Sequence, residues 1–143
     1  MPVAALHHYT IRCTPEELPE LLDFYTRVMR LEVGARPEIP APGAWLYAGG
    51  QPIVHLYAHL STPDVTPDTA PGGASQPPTG HVDHISFRSH RLDEMRAHLG
   101  AQGVPFSEAP IPGWDIHQLF LHDPRGLKVE MTFWLADEAE DAA

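Results

Sequence analysis

Four residues able to bind a metal stand at matched distances along the chain. His8 and His84 are 76 residues apart, and His55 and Glu130 are 75 apart; His8 to His55 is 47 residues and His84 to Glu130 is 46. Ten histidines scattered at random would not usually fall on two equivalent pairs of positions in this way. Two imidazoles and a carboxylate suit Fe, Mn, Zn, Co or Ni and leave coordination positions open for substrate; His55 as a fourth ligand leaves fewer. A metal held so acts as a Lewis acid on a bound substrate oxygen and stabilises negative charge that develops on it. A Glu130 that binds the metal loosely can also serve as the general base.

The elements that must position these residues repeat as well. The segments 6–12 and 82–88 are rich in β-branched and aromatic residues and read as opening strands. Thr14-Pro15-Glu16-Glu17 signals a helix start, and Leu18, Leu21, Leu22, Tyr25, Val28 and Met29 follow at helical spacing. A second helix is expected over 91–101, with Gly103 beyond its end. Further strands are expected at 44–48 and 52–57 in the first half, and at 116–121 and 127–133 in the second. Short middle strands at 32–35 and 105–107 complete a βαβββ order twice. Alternation puts His8 with Thr10, His84 with Ser86, Ile53 with His55, and Lys128 with Glu130 and Thr132. The opposite faces (Tyr9 and Ile11; Val54 and Leu56; Ile85 and Phe87; Val129, Met131 and Phe133) are greasier and should pack on the helices. Trp45 and Tyr47 have the parity for an aromatic wall on the metal side, where Thr10 and Ser86 can assist a substrate.

These stretches resemble the vicinal oxygen chelate superfamily, which includes glyoxalase I, methylmalonyl-CoA epimerase, extradiol dioxygenases and fosfomycin resistance proteins. The resemblance runs over roughly 5–134 and is carried by Leu6-His7-His8-Tyr9-Thr10-Ile11, Phe24-Tyr25, Val82-Asp83-His84-Ile85-Ser86-Phe87 and Asp123-Pro124-Arg125-Gly126-Leu127-Lys128-Val129-Glu130-Met131. It implies an α+β fold of two βαβββ modules forming an incomplete barrel around one divalent metal. The family's ligand positions fall on His8, His55, His84 and Glu130, and Gln118 and Phe120 stand where family members often reach the substrate. His117 then points the other way. A metal-dependent isomerase or lyase is the implied activity. A non-haem Fe(II) ring-cleaving dioxygenase and a non-catalytic antibiotic-binding or resistance protein are the alternatives. His55 stands where glyoxalase I typically has Glu, and the few Lys and Arg leave little to hold a glutathione or CoA tail. A small, uncharged or weakly charged substrate is therefore expected, and a homodimer is the assembly the family implies.

Composition excludes other classes. Nine Lys and Arg against nineteen Asp and Glu give a net charge of −10, so nucleic acid and anionic membrane are not expected partners. The single cysteine, Cys13, allows neither an internal disulfide nor a thiolate-rich metal site. The start, Met1-Pro2-Val3-Ala4, lacks the pattern of a signal peptide, which makes the cytoplasm the expected compartment. Pro, Gly, Ser and Thr make up fourteen of the twenty residues of 61–80, which reads as a linker. One domain over 1–135 is thus expected, built from module 1–60, linker 61–80 and module 81–135. The acidic tail 136–143 reads as a frayed end.

Overall fold

In a computed structural model that describes residues 5–58, 84–111 and 113–141, the capping box at the first helix closes. Thr14 N–H donates to Glu17 Oε2 at 3.0 Å, and Glu17 N–H donates to Thr14 Oγ1 at 3.3 Å. Two otherwise orphaned donors are satisfied reciprocally. Helix α1 (Leu18–Asp23) follows and continues as a π-helical turn over Phe24–Val28. The turn replaces the regular helix expected through Met29. Thr26 donates its hydroxyl to the Leu22 carbonyl at 2.7 Å, and Met29 N–H reaches back five residues to Phe24. The wider turn lets Phe24, Tyr25 and Val28 all be buried.

The chain divides into two compact units, 1–65 and 66–143. The expected linker 61–80 lies outside the described residues, as do His59 and His81. The first unit runs β1 (Tyr9–Arg12), α1, β2 (Glu32–Gly34), β3 (Gly43–Ala48), β4 (Gln51–Tyr57). The second runs β5 (His84–Ser89), α2 (Leu92–Ala101), β6 (Ser107–Ile111), β7 (Ile116–His122), β8 (Lys128–Trp134), α3 (Leu135–Asp141). Each forms a four-stranded sheet of the same order, β1-β4-β3-β2 and β5-β8-β7-β6. In both, the opening strand pairs parallel with the last and the other pairs are antiparallel. This is the βαβββ duplication. Two strands differ by more than one residue at a described boundary: β1 begins at Tyr9, leaving His8 just ahead of it, and β6 lies at 107–111 rather than 105–107.

The greasy faces form the cores. Leu21, Tyr25, Val28, Leu46, Val54 and Leu56 are buried in the first unit; Leu99, Leu119, Leu121, Val129 and Phe133 are buried in the second. The β7–β8 turn is built by Asp123, whose Oδ1 accepts from the backbone of Arg125 at 2.8 Å and Leu127 at 3.0 Å. Gly126 takes φ 85°, a left-handed value that glycine adopts without steric cost.

Of the tail 136–143, expected to fray, residues 136–141 belong to α3, which begins at Leu135 and brings Glu138 to cap α2. Its carboxylate accepts from Arg91 N–H at 2.8 Å and Leu92 N–H at 2.7 Å. A carboxylate there satisfies two orphaned donors and opposes the positive end of the helix dipole. Arg88 adds a 2.6 Å ion pair to Asp137 and lies over the Trp134 ring. Among the described residues no helix is long and apolar enough to cross a membrane.

Candidate functional site

Strand register sorts the polar face of the second sheet into rows. His84, Lys128 and His122 lie side by side on β5, β8 and β7; Ser86, Glu130 and Phe120 form the next row; Arg88, Thr132 and Gln118 the third. Glu130 is buried in the middle. Gln118 Nε2 donates to its Oε1 at 2.6 Å, and the Thr132 hydroxyl donates to its Oε2 at 3.2 Å. Thr132 has one proton to give, so the Ser86 hydroxyl, 2.9 Å away, donates to Thr132. A directed chain therefore runs from Ser86 through Thr132 to the carboxylate. His84 Nε2 stands 3.7 Å from Glu130 Oε2.

The first unit carries the equivalent row with different chemistry. Thr10, His55 and Trp45 are register partners, as Ser86, Glu130 and Phe120 are, each displaced by 75 or 76 residues. Here aromatic stacking replaces hydrogen bonding. His55 is buried between two rings: Trp45 lies 3.9 Å from it at 7°, and His8 lies 4.0 Å away at 15°. His55 Nε2 donates to the Pro52 carbonyl at 3.2 Å, since a carbonyl can only accept. Its neutral tautomer therefore keeps the lone pair on Nδ1. Burial first, and then the nearby His8, push the His55 pKa below its ordinary value. His8 itself is exposed, with Nδ1 2.8 Å from Nδ1 of His7.

The two pairs differ in fitness for a metal. Two donors about 2.0–2.2 Å from one ion stand roughly 3–4 Å apart, and His84 and Glu130 meet that spacing. Gln118 and Thr132 each take one lone pair, on Oε1 and Oε2 of Glu130, and each oxygen has a second. His8 and His55 do not converge as placed, because stacked rings direct their in-plane lone pairs along parallel paths. Among the described residues, no three His, Cys, Asp or Glu side chains come together as a metal-holding group.

Other expected site residues are placed as follows. Thr10 is exposed beside His55, and Ser86 is exposed at the head of the hydroxyl chain. Phe120 is half-buried beside Glu130. Tyr47, expected beside Trp45, lies against Gly34, the register partner of Trp45. A β-bulge falls between Leu46 and Tyr47, the ring covers Gly34, where a β-carbon would collide with it, and its hydroxyl donates to the Ala35 carbonyl at 2.6 Å. His117 points to the helix side, as its parity implies. It stands 2.8 Å from Glu108 Oε2, which Arg96 of α2 also holds at 2.8 Å. Arg96 first, then His117, pull the Glu108 pKa down. Sequence reasoning left Thr132 and Lys128 out of the site. Their signal was available: each lies two residues from Glu130 on one strand, hence on its face.

A family model described as Glyoxalase/Bleomycin resistance protein/Dioxygenase superfamily matches residues 5–131. A relative from Arabidopsis thaliana, Glyoxylase I 4, is 30% identical over 132 residues, spanning 90% of this chain and 70% of the relative. The solved lactoylglutathione lyase of Agrobacterium tumefaciens is similar at a TM-score of 0.61 and 19% identity, over 95% of this chain and 98% of that one. The trypanothione-dependent glyoxalase I of Leishmania major is similar at 0.64 and 18%, over 98% and 93%. At these identities the solved structures establish the fold.

Proposed function

Because the chain belongs to the glyoxalase/bleomycin resistance protein/dioxygenase superfamily, whose members typically bind a divalent metal, we propose that it is a metal-dependent enzyme of the glyoxalase type. Its substrate is a small molecule with vicinal oxygens, and its reaction an isomerase or lyase step. The observation that carries this reading is the Glu130 carboxylate, buried, oriented by two donors and 3.7 Å from His84. A divalent metal held there supplies Lewis-acid stabilisation of enolate or oxyanion charge on the substrate.

The chain's own residues do the rest. His84 and Glu130 are the ligands this reading rests on. His8 and His55, at the family's other ligand positions, bind only on leaving their stack. Gln118 and Thr132 fix the carboxylate plane, so that Glu130 presents a set lone pair to a substrate C–H and takes its proton. Ser86 supplies the hydrogen bond that keeps the Thr132 hydroxyl turned toward Glu130. Phe120 and Trp45 give apolar surface for the carbon skeleton, and Thr10 a hydroxyl. A homodimer is the assembly proposed.

Metal analysis of protein purified without chelator tests it. About one transition metal per chain is expected, lost in Glu130→Ala, because removing a ligand removes most affinity. A metal-free wild-type protein that also refuses added Zn2+, Mn2+, Ni2+ and Fe2+ would overturn the reading. Fe(II)-loaded protein that consumes oxygen with catechol would move the reaction class to ring-cleaving dioxygenase.

A second reading has its own observation. The Trp45–His55–His8 stack spends both faces of His55 on ring contacts, as in a rigid aromatic wall for binding a flat molecule. A non-catalytic binding protein would keep its histidine ring signals unchanged in NMR spectra when metal is added, whereas the enzyme reading expects metal to shift those of His84.

A further inference from the structure

On the second sheet's polar face the row of His84, Lys128 and His122 lies next to the row of Ser86, Glu130 and Phe120. Lys128 is the only lysine of the chain. It lies two residues before Glu130 on β8, with His84 and His122 as its register partners on either side. Its ammonium leans along the face to 5.9 Å from the Phe120 ring centroid. The charge thus stands beside the row that contains Glu130. Arg88, the other cation on this face, is turned to Asp137 at 2.6 Å and to the Trp134 ring at 4.7 Å.

We infer that Lys128, with His122 beside it, forms an anion subsite next to Glu130 that takes the carboxylate of a small substrate. The subsite rests on the reading of this face as the substrate site, and it narrows the substrate class to a hydroxy- or oxo-acid. The ammonium is a compact point charge with three donors, enough for one monoanionic group. The imidazole of His122 adds an N–H donor. Phosphate groups are more often gripped by forked guanidinium donors or several backbone amides, and this row presents neither. Phe120 offers its ring to the carbon part of the acid. The chain's net charge of −10 repels anions at a distance, so capture depends on this local cation.

The lone lysine makes the test direct. Lysine labelled with 13C at the ε position gives a single methylene signal, to be followed in metal-free and Zn2+-loaded protein. The probes are glycolate and its isosteric amide, glycolamide. The expected result is a saturable shift with glycolate at about tenfold lower concentration than with glycolamide, the ratio one charge-assisted hydrogen bond supplies. By calorimetry, Lys128→Met loses that preference and Lys128→Arg keeps it. Equal response to the two probes, no saturable response, or tighter binding of inorganic phosphate than of glycolate overturns the subsite. Zinc uptake on the same samples reports the metal reading separately. Protein that takes up zinc but ignores glycolate loses the subsite alone. Protein that binds glycolate but takes up none of Zn2+, Mn2+, Ni2+ and Fe2+ keeps the subsite and loses the metal reading.

Discussion

His55 and Glu130 occupy equivalent places in two copies of one module, yet their neighbours give them different chemistry. Glu130 meets an amide and a hydroxyl and becomes an oriented acceptor. His55 meets two rings and becomes a buried neutral imidazole. The consequence for pH has a definite sign. The folded-state pKa of His55 lies below its unfolded value of about 6.5, so between the two values the unfolded chain binds the extra proton. Its contribution to stability is therefore complete above about pH 6.5 and is lost as pH falls through that value toward the folded one. In chelator, thermal unfolding of wild type should fall more steeply than that of His55→Gln between about pH 7.5 and pH 5. Parallel curves for the two proteins would refute the assignment. The four spaced residues were legible because alternation along a strand is a local property. What each touches was not, because Trp45 reaches His55 only through the β3–β4 register.

At the scale of elements, the first helix carries its start signal within itself, in Thr14 and Glu17. The second has none: position 91 is an arginine at φ 62° whose side chain makes no cap. Its cap comes from Glu138, 46 and 47 residues further on. Replacing that carboxylate should cost about 1 kcal/mol, the usual worth of a cap, or a few degrees of melting temperature for a chain this long. Glu138→Ala should show the loss in a thermal melt, with Glu138→Gln intermediate because one oxygen can still accept. A melt unchanged in Glu138→Ala would mean that α3 does not hold α2. The same variant should speed hydrogen exchange at the Arg91 and Leu92 amides, which a general loss of packing would not single out. The tail looked frayed because alanines and acids lack an apolar stripe. Nothing within 136–143 points to a helix start on the far side of β8.

Over the whole molecule, acidity and duplication are the governing features. With a sequence pI near 5.3, solubility should pass through a minimum near that pH and rise as the net charge grows toward −10. A turbidity scan across pH checks this, and a minimum displaced well toward neutrality would point to a bound cation altering the charge balance. Duplication was readable because each module repeats the same order of periodic segments, and the two sheets have identical strand order. The amino-acid sequence by itself determined the modules, the apolar face of each sheet, the capping box and the Asp123 turn. All of these depend on residues a few positions apart, where alternation and backbone geometry decide. Only the tertiary structure decided that Gln118 and Thr132 hold Glu130, that Trp45 and His8 enclose His55, that Tyr47 is spent on Gly34, and that Glu138 caps α2. Most of these contacts join different elements, up to 47 residues apart, and strand register, bulges and the path of the chain set them, which no local pattern encodes.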